Sequence, residues 1–419
     1  MTRRLRLVTE QTFRSMRVHN FRLYFFGQLV SATGTWMQAI GQMWLVLRLT
    51  GSGTALGITT ALQFAPMLLA GAWGGVVADR VDKRRLLITT QMLAGALAVI
   101  MGALIASDAV ELWMIYTLAL ALGCVNALDN PARRAFVIEM VGPEYLSNAV
   151  SLSSALFTAA RVVGPAIAGI LIGTVGTSWC FFVNALSYGA AVAAFAAMRR
   201  GELLTSEPVP RTKGQLRAGL RYAWSTPELR TPLVMTAVIG TLAFNSQVVL
   251  ALLARETFGG GAATYGQLYA VLSVGAVTGA LVTAHRRAAS RRFLLAAAGA
   301  YGFLLCLAAL APTLPLELLV LVPTGAAGVA FVAMANGLLQ AHTIPAMRGR
   351  VMALFSVAFL GTTPIGGPIV GYVSETLGPR AGLALGGLAA LLTAGIAMGV
   401  RRRSVVASEP LAAGAARAA

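Results

Sequence analysis

Hydrophobic positions along this chain run in long blocks separated by short polar segments. Twelve blocks can be marked, at about 23–47, 54–78, 85–106, 111–130, 149–174, 177–198, 231–253, 265–284, 292–312, 316–340, 350–374 and 379–400, here called spans 1 to 12. Each is close to the ~20 residues a helix needs to cross a ~30 Å hydrocarbon core. Within lipid only a helix or a closed barrel satisfies its own backbone, and continuous apolar blocks of this length read as helices. The pattern therefore predicts an all-α polytopic membrane protein with twelve transmembrane helices.

Segment 199–230 is the longest interruption. It is polar and basic, carries Pro208, Pro210 and Pro227, and divides six spans from six. The expected organisation is an N-terminal segment (1–22), a six-helix bundle (23–198), a linker (199–230), a second six-helix bundle (231–400) and a tail (401–419). Leu216, Leu220, Ala223 and Trp224 share a helical face within the linker, beside Arg217 and Arg221. A helix lying in the membrane interface and a solvated linker helix both fit that pattern. The two halves echo each other. Lys83-Arg84-Arg85-Leu86-Leu87 is matched by Arg291-Arg292-Phe293-Leu294-Leu295, and Pro131-Ala132-Arg133-Arg134 by Pro345-Ala346-Met347-Arg348. Gly164-Pro165 in span 5 is matched by Gly367-Pro368 in span 11. Duplicated six-helix units are common in transporters, with the substrate site between the repeats.

Charge orients the chain. Of 33 Lys and Arg residues, 29 lie in the N-terminal segment, in every second inter-span segment and in the tail. Arg48, Arg255 and Arg380 fall in the other set of segments, and Arg161 lies inside span 5. Basic residues stay cytoplasmic during insertion, so both termini are expected inside a bacterial cytoplasmic membrane. The net charge of +18 is spread over alternating short segments rather than gathered in one patch. That argues against nucleic acid and for contact with anionic lipid of the inner leaflet. Charged residues are only 11% of the chain and mean hydropathy is +0.74, far from soluble-protein values. About twenty polar residues precede span 1, so the beginning is not read as a cleavable signal. Cys124, Cys180 and Cys306 lack metal or redox spacing, and His19, His285 and His342 lie in cytoplasmic-side segments. No nucleophile elbow, phosphate loop or zinc pattern occurs, so neither enzyme activity nor a cofactor or metal is expected.

Polar residues inside the spans carry the functional reading. Gln28, Ser31, Thr35, Gln38 and Gln42 step by three and four along span 1, one stripe about 21 Å long. Facing lipid would be costly. The stripe walls a water-filled cavity or makes hydrogen bonds to packed helices, and its length favours the cavity. Aligning Arg48 with Arg255 places Gln38 on Asn245 of span 7, so that two amides would sit symmetry-related near the midplane. Asn336 and Gln340 in span 10 and Asn126 in span 4 extend the expected polar surface. Arg161 lies near the bilayer centre, where an unpaired Arg costs ~2.5–3.5 kcal/mol even on insertion scales. It is expected to bond an amide such as Gln38, water or an anionic substrate group, or to serve the bundle interior structurally. No Asp or Glu is expected near the midplane, which leaves proton coupling to Asp129, Asp79 or the substrate. Trp36, Met37, Met43 and Trp44 could line an adaptable apolar pocket or simply pack.

Three stretches carry a family resemblance. Gly75-Val76-Val77-Ala78-Asp79-Arg80-Val81-Asp82-Lys83-Arg84-Arg85 resembles the Gly-x-x-x-Asp-Arg-x-Gly-Arg-Lys signature of the major facilitator superfamily, with Asp82 in place of a Gly. Arg161-Val162-Val163-Gly164-Pro165-Ala166-Ile167-Ala168-Gly169 is similar to the Gly-Pro motif of that superfamily's antiporters. The stretch from Asn126 through Asn130-Pro131-Ala132-Arg133 to Asn148-Ala149-Val150 resembles the bacterial branch with enterobactin exporters and macrolide-efflux proteins. The resemblance implies two pseudo-symmetric six-helix bundles and alternating-access secondary transport by a single chain. Efflux of an amphipathic small molecule, drug-like or siderophore-like, follows from the branch. A polar-metabolite uptake facilitator and a non-transporting membrane scaffold or sensor remain as rivals. Gly71 and Gly75 would let another helix approach span 2 closely. The resemblance further implies a cytoplasmic latch in which Asp79 faces span 11 and the motif's basic residues, Arg80 and Lys83, pair with an acid of span 4, here Asp129. Asp79→Asn at unchanged membrane level is then expected to impair transport, and unchanged transport would remove the latch.

Overall fold

The computed structural model describes residues 12–204, 215–284 and 289–415, with the backbone alone over 72–76, 78–79, 215–218, 346 and 400–415. The extreme N-terminus, part of the linker and the last four residues lie outside the described residues, as do the side chains of Gly75 and Asp79.

Every expected span is helical, and no strand occurs among the described residues. Span 1 is His19–Thr50, span 2 Gly53–Arg80, span 3 Lys83–Ala106 and span 6 Ser178–Ala196. Spans 4 and 5 belong to one 63-residue element, Leu112–Thr174, bent at Gly142. There φ is 70° and ψ is 177°, a conformation open essentially only to glycine, and Pro143 follows at once. Span 7 is Pro227–Ala243 and Ser246–Leu252, running on as Leu253–Thr257. Span 8 is Ala262–Ala284, span 9 Arg291–Ala309 and span 10 Leu314–His342. Span 11 is Pro345–Phe359 and Thr363–Thr376, and span 12 begins Pro379–Ala415. Gln215–Ser225 forms the linker helix.

Ten helices among the described residues are long and apolar enough to cross a membrane. The 63-residue one is about 95 Å long and crosses twice. Span 1 falls below that hydropathy because of its polar stripe, and it completes twelve crossings.

Span 1 is the axis of the first half. Gly27, Gly34 and Gly41 fall seven residues apart, two helical turns, so they share one face. That face lies on Ala194, on Asn184 and Ser187, and on Cys180 of span 6. Small residues let backbones approach where lipid gives no hydrophobic drive for helix association.

One end of the molecule, the near end, gathers the N-terminal segment, the 2–3 and 4–5 turns and the exits of spans 6 and 12. Arg14 pairs with Glu144, and Asn20 bonds the Arg199 backbone both ways. Arg84 donates from Nε and Nη2 to the Phe195 and Ala196 carbonyls, a cation on the C-terminal end of span 6. In the second half Arg291 reaches the Ala397 carbonyl, and the Ile344 amide meets Tyr222 of the linker helix.

The halves touch through the opposite, far end. Span 2 lies on span 11, where a Cβ built on Gly57 would sit 2.3 Å from the Gly367 carbonyl oxygen. Span 5 lies on span 8, where a Cβ on Gly266 would sit 2.6 Å from the Pro165 carbonyl oxygen. Toward the near end Leu69 of span 2, Val150 and Phe157 of span 5 and Val282 of span 8 are exposed. The expected close approach at Gly71 is absent: a Cβ there would meet only Met67 of its own helix, at 3.9 Å. The intimate glycines of span 2, Gly53 and Gly57, are about four helical turns or more away, at its far end, because that is where the two halves converge.

A methyl group on Gly34 would lie 2.3 Å from Ser187 Oγ and 2.4 Å from Asn184 Oδ1. Gly34→Ala is expected to cost about 1–3 kcal/mol, read as a lower thermal midpoint of the purified protein. Gly173→Ala, with nothing within 4 Å, should stay close to the parent.

Candidate functional site

Arg161 sits where span 5 crosses span 1. Three residues later a Cβ on Gly164 would lie 2.6 Å from Trp36 Cβ and 2.7 Å from the Thr33 carbonyl oxygen. Only glycine permits that approach, and it brings Arg161 alongside the Trp36 ring, 5.3 Å from its centroid. From the other half, Tyr269 of span 8 presents its ring 5.7 Å from the guanidinium carbon, with its hydroxyl 3.5 Å from Nη2. The two rings are themselves 5.9 Å apart. The cation thus bridges both halves at the inner edge of the span 5–span 8 contact. Desolvated cation–π contacts contribute about 2 kcal/mol each, comparable to the insertion cost of a lone Arg. Two of them explain how it is tolerated without a carboxylate. Nε remains buried without a partner, a donor still available to an acceptor.

The expected Arg161–Gln38 bond does not form. Gln38 Oε1 accepts from Asn184 Nδ2 at 2.7 Å, inside the first half. The same holds for most of the stripe. Ser31 donates to Gln91 at 3.2 Å, Thr35 meets Tyr188 at 3.3 Å, and Gln28 and Gln42 are buried. For Ser31, Thr35 and Gln38 the cavity-wall reading is therefore corrected to hydrogen bonding between spans 1, 3 and 6; Gln28 and Gln42 are buried with Nε2 unpartnered, and Thr35 alone of the five is exposed. Spacing shows that a face meets protein, but not whether water lies between. Asn245 lies in the break of span 7, where Nδ2 donates to the Thr241 carbonyl and Oδ1 is buried unpartnered. The break of span 11 lies beside it: a Cβ on Gly240 would be 3.4 Å from Thr362 Oγ1, and Phe244 packs edge-on against Phe359 at 5.1 Å. Asn336 and Gln340 bond each other at 2.5 Å and remain accessible on span 10, with Asn126 part-buried on span 4.

A family model described as transmembrane secretion effector matches residues 10–414. The chain belongs to this family of the major facilitator superfamily. The multidrug efflux pump Tap of Mycolicibacterium fortuitum is 25% identical over 369 residues, 86% of this chain and 90% of that one. The enterobactin exporter EntS of Shigella flexneri is 25% identical, covering 89% of both. The staphyloferrin A transporter of Staphylococcus aureus is 26% identical over 62% of this chain and 66% of its own length. Among solved structures, a bacterial homologue of the iron transporter ferroportin, inward-facing, superposes with TM-score 0.70 at 14% identity, over 92% of this chain and 98% of that one. A bacterial homologue of the lysosomal transporter Spinster gives 0.68 at 15% identity, over 91% and 95%. The fold is thus the major facilitator fold, and the chain is a multi-pass transporter of a bacterial secondary-transport family.

In this major facilitator protein the helix-5 motif has a direct geometric meaning. Gly164 seats span 5 on span 1, while Pro165 and Gly169 seat it on span 8. The span 2–3 motif is arranged differently from expectation. Lys83 pairs at 2.7 Å with Glu139, both about nine-tenths buried, so Glu139 rather than Asp129 is the acid of span 4 that meets the motif. Glu139 lies ten residues, nearly three turns, further toward the near end, level with the foot of span 3. Arg80 is exposed. Asp129 is engaged within the first half: one oxygen accepts from Thr90 at 2.7 Å and Gln91 at 3.0 Å, and the other accepts from Arg133 Nε and Nη2. Tyr269, Glu139 and the role of Arg133 were missed from sequence. The Arg133 signal was there, since Asp129 and Arg133 stand four apart on a helix.

Removing one member of a buried pair leaves an uncompensated charge. Arg133→Ala is expected to cost about 3–5 kcal/mol and to deplete folded protein in the membrane. The double variant Asp129→Asn with Arg133→Gln should recover much of that level, measured by detergent-solubilised size-exclusion profiles.

Proposed function

We propose that this transporter exports an amphipathic small molecule, neutral or anionic, across the bacterial cytoplasmic membrane by proton-driven alternating access. The observation that carries the reading is the guanidinium of Arg161, shared between Trp36 of one half and Tyr269 of the other, with a donor left over. It lies where span 5 meets both span 1 and span 8. The concentration of basic residues at the near end supports a cytoplasmic position for that end and for both termini, with anionic lipid headgroups around it.

A substrate entering from the near end meets Thr35, Asn336 and Gln340 before reaching Arg161. An acceptor or anionic group on it competes with Tyr269 for the guanidinium. Losing that contact loosens span 5 from span 8, and the halves rock so that the far end opens. Binding energy is thus spent on separating the halves, which is what a ligand must do to shift a two-state equilibrium. That the relatives Tap and EntS are an efflux pump and an exporter supports efflux over uptake. Glu317, in the first turn of span 10, is a buried carboxylate whose two oxygens have no partner.

Export from cells carrying anionic, neutral and cationic fluorescent probes tests the reading. Arg161→Ala should slow export of the anionic probe about tenfold or more, the loss expected when a charge-assisted hydrogen bond of ~1.5–3 kcal/mol is removed. Arg161→Lys should retain part of it, and a protonophore should abolish export by the parent. Movement of cations alone, indifferent to Arg161→Ala, would overturn the proposal.

A further inference from the structure

At the far end, two exposed side chains of opposite charge reach from the second half to the first. Arg255, at the end of span 7, donates from Nη1 to the Leu47 carbonyl. That carbonyl already accepts from the Gly51 amide at 2.9 Å, so it belongs to the last turn of span 1. Glu375, at the end of span 11, accepts through Oε2 from Ser52 Oγ at 2.8 Å and from the Thr54 amide at 2.8 Å. Thr54 is in the first turn of span 2, where amides have no partner inside their own helix. Ser52 in turn caps that helix, accepting from the Ala55 amide at 3.1 Å.

The signs match the helix ends. Carbonyls at a C-terminus carry partial negative charge and meet the Arg255 cation, while amides at an N-terminus carry partial positive charge and meet the Glu375 carboxylate. Both helix ends flank one turn, Gly51–Ser52, whose left-handed Gly51 reverses the chain between spans 1 and 2. Swapping the two charged residues would put like against like at both points.

We propose that Arg255 and Glu375 form a two-point latch that grips the span 1–span 2 turn and holds the far end shut, setting how often this end opens. The proposal rests on the reading that the two ends open in turn. It places a latch at the end opposite the one implied by the span 2–3 motif. Exposure is part of the design. Both side chains rehydrate when the halves part, so each contact is weak and the latch opens in every cycle. Behind it, the glycine-to-glycine contact of span 2 on span 11 lets the backbones come close enough for Oε2 to reach an amide. A Cβ on Gly371 would lie 2.2 Å from the Gly53 carbonyl oxygen.

The test uses the full chain in lipid nanodiscs, native cysteines replaced, with spin labels at Leu49 and Leu377, which are exposed at the far end on opposite halves. Pulsed dipolar spectroscopy reads the short-distance (closed) and long-distance (open) populations. Glu375→Gln and Arg255→Gln should each raise the open-to-closed ratio about two- to fivefold, the range for a charge at a helix end, and the double variant further. High salt should raise the ratio in the parent but not in the double variant. Glu144→Gln, which breaks an ion pair at the near end, should leave it unchanged. A parent that samples both distances while both latch variants keep its ratio overturns the latch and spares the transport reading. A single short distance in every variant overturns both.

Discussion

Everything in this molecule is arranged around the absence of water in the hydrocarbon layer, where a polar group must find its partner in the protein. Asp129 is the fullest case: a carboxylate within span 4 holds four donors from Thr90, Gln91 and Arg133. Such a carboxylate has all its acceptor capacity used. Lys83 and Glu139 solve the same problem as a buried pair. Arg84, Arg255 and Arg291 instead seek backbone carbonyls of other segments. The cation then serves twice, neutralising a helix end and tying two elements together.

Arg161 is the exception that gives the molecule its asymmetry. It has no carboxylate among the described residues and relies on two aromatic faces, one from each half. Aromatic contact stabilises a guanidinium without consuming its hydrogen-bond donors. A salt bridge at the same place would have been stronger and harder to exchange for a ligand. The weaker solution suits a group that must trade partners as the halves move.

The relation between the halves follows from where side chains are small. Gly57, Gly169, Gly266 and Gly367 cluster toward the far end of spans 2, 5, 8 and 11, and there backbones touch. Toward the near end spans 2, 5 and 8 carry exposed Leu69, Val150, Phe157 and Val282 instead. Breaks in spans 7 and 11, meeting around Asn245, Gly240 and Thr362, add a place in the second half where backbone is not locked into continuous helix.

Block length was enough for the number of crossings, because it is a property of the chain alone, and the motif stretches at 75–85, 126–150 and 161–169 were enough for the family. The pattern also located Arg161 and kept Gln28 to Gln42 away from lipid. Partner choice was decided only by the tertiary structure. Lys83 could meet either Asp129 or Glu139, and a difference of three helical turns, set by how spans 3 and 4 pack, selects the second. Gln38 could face a cavity or span 6, and glycines at 27, 34 and 41 bring span 6 too near for water. Nothing in the order of residues brings Tyr269 to Arg161, or Arg255 and Glu375 to a turn some 200 to 320 positions earlier. Those meetings depend on the relative placement of two bundles, which a one-dimensional pattern does not encode.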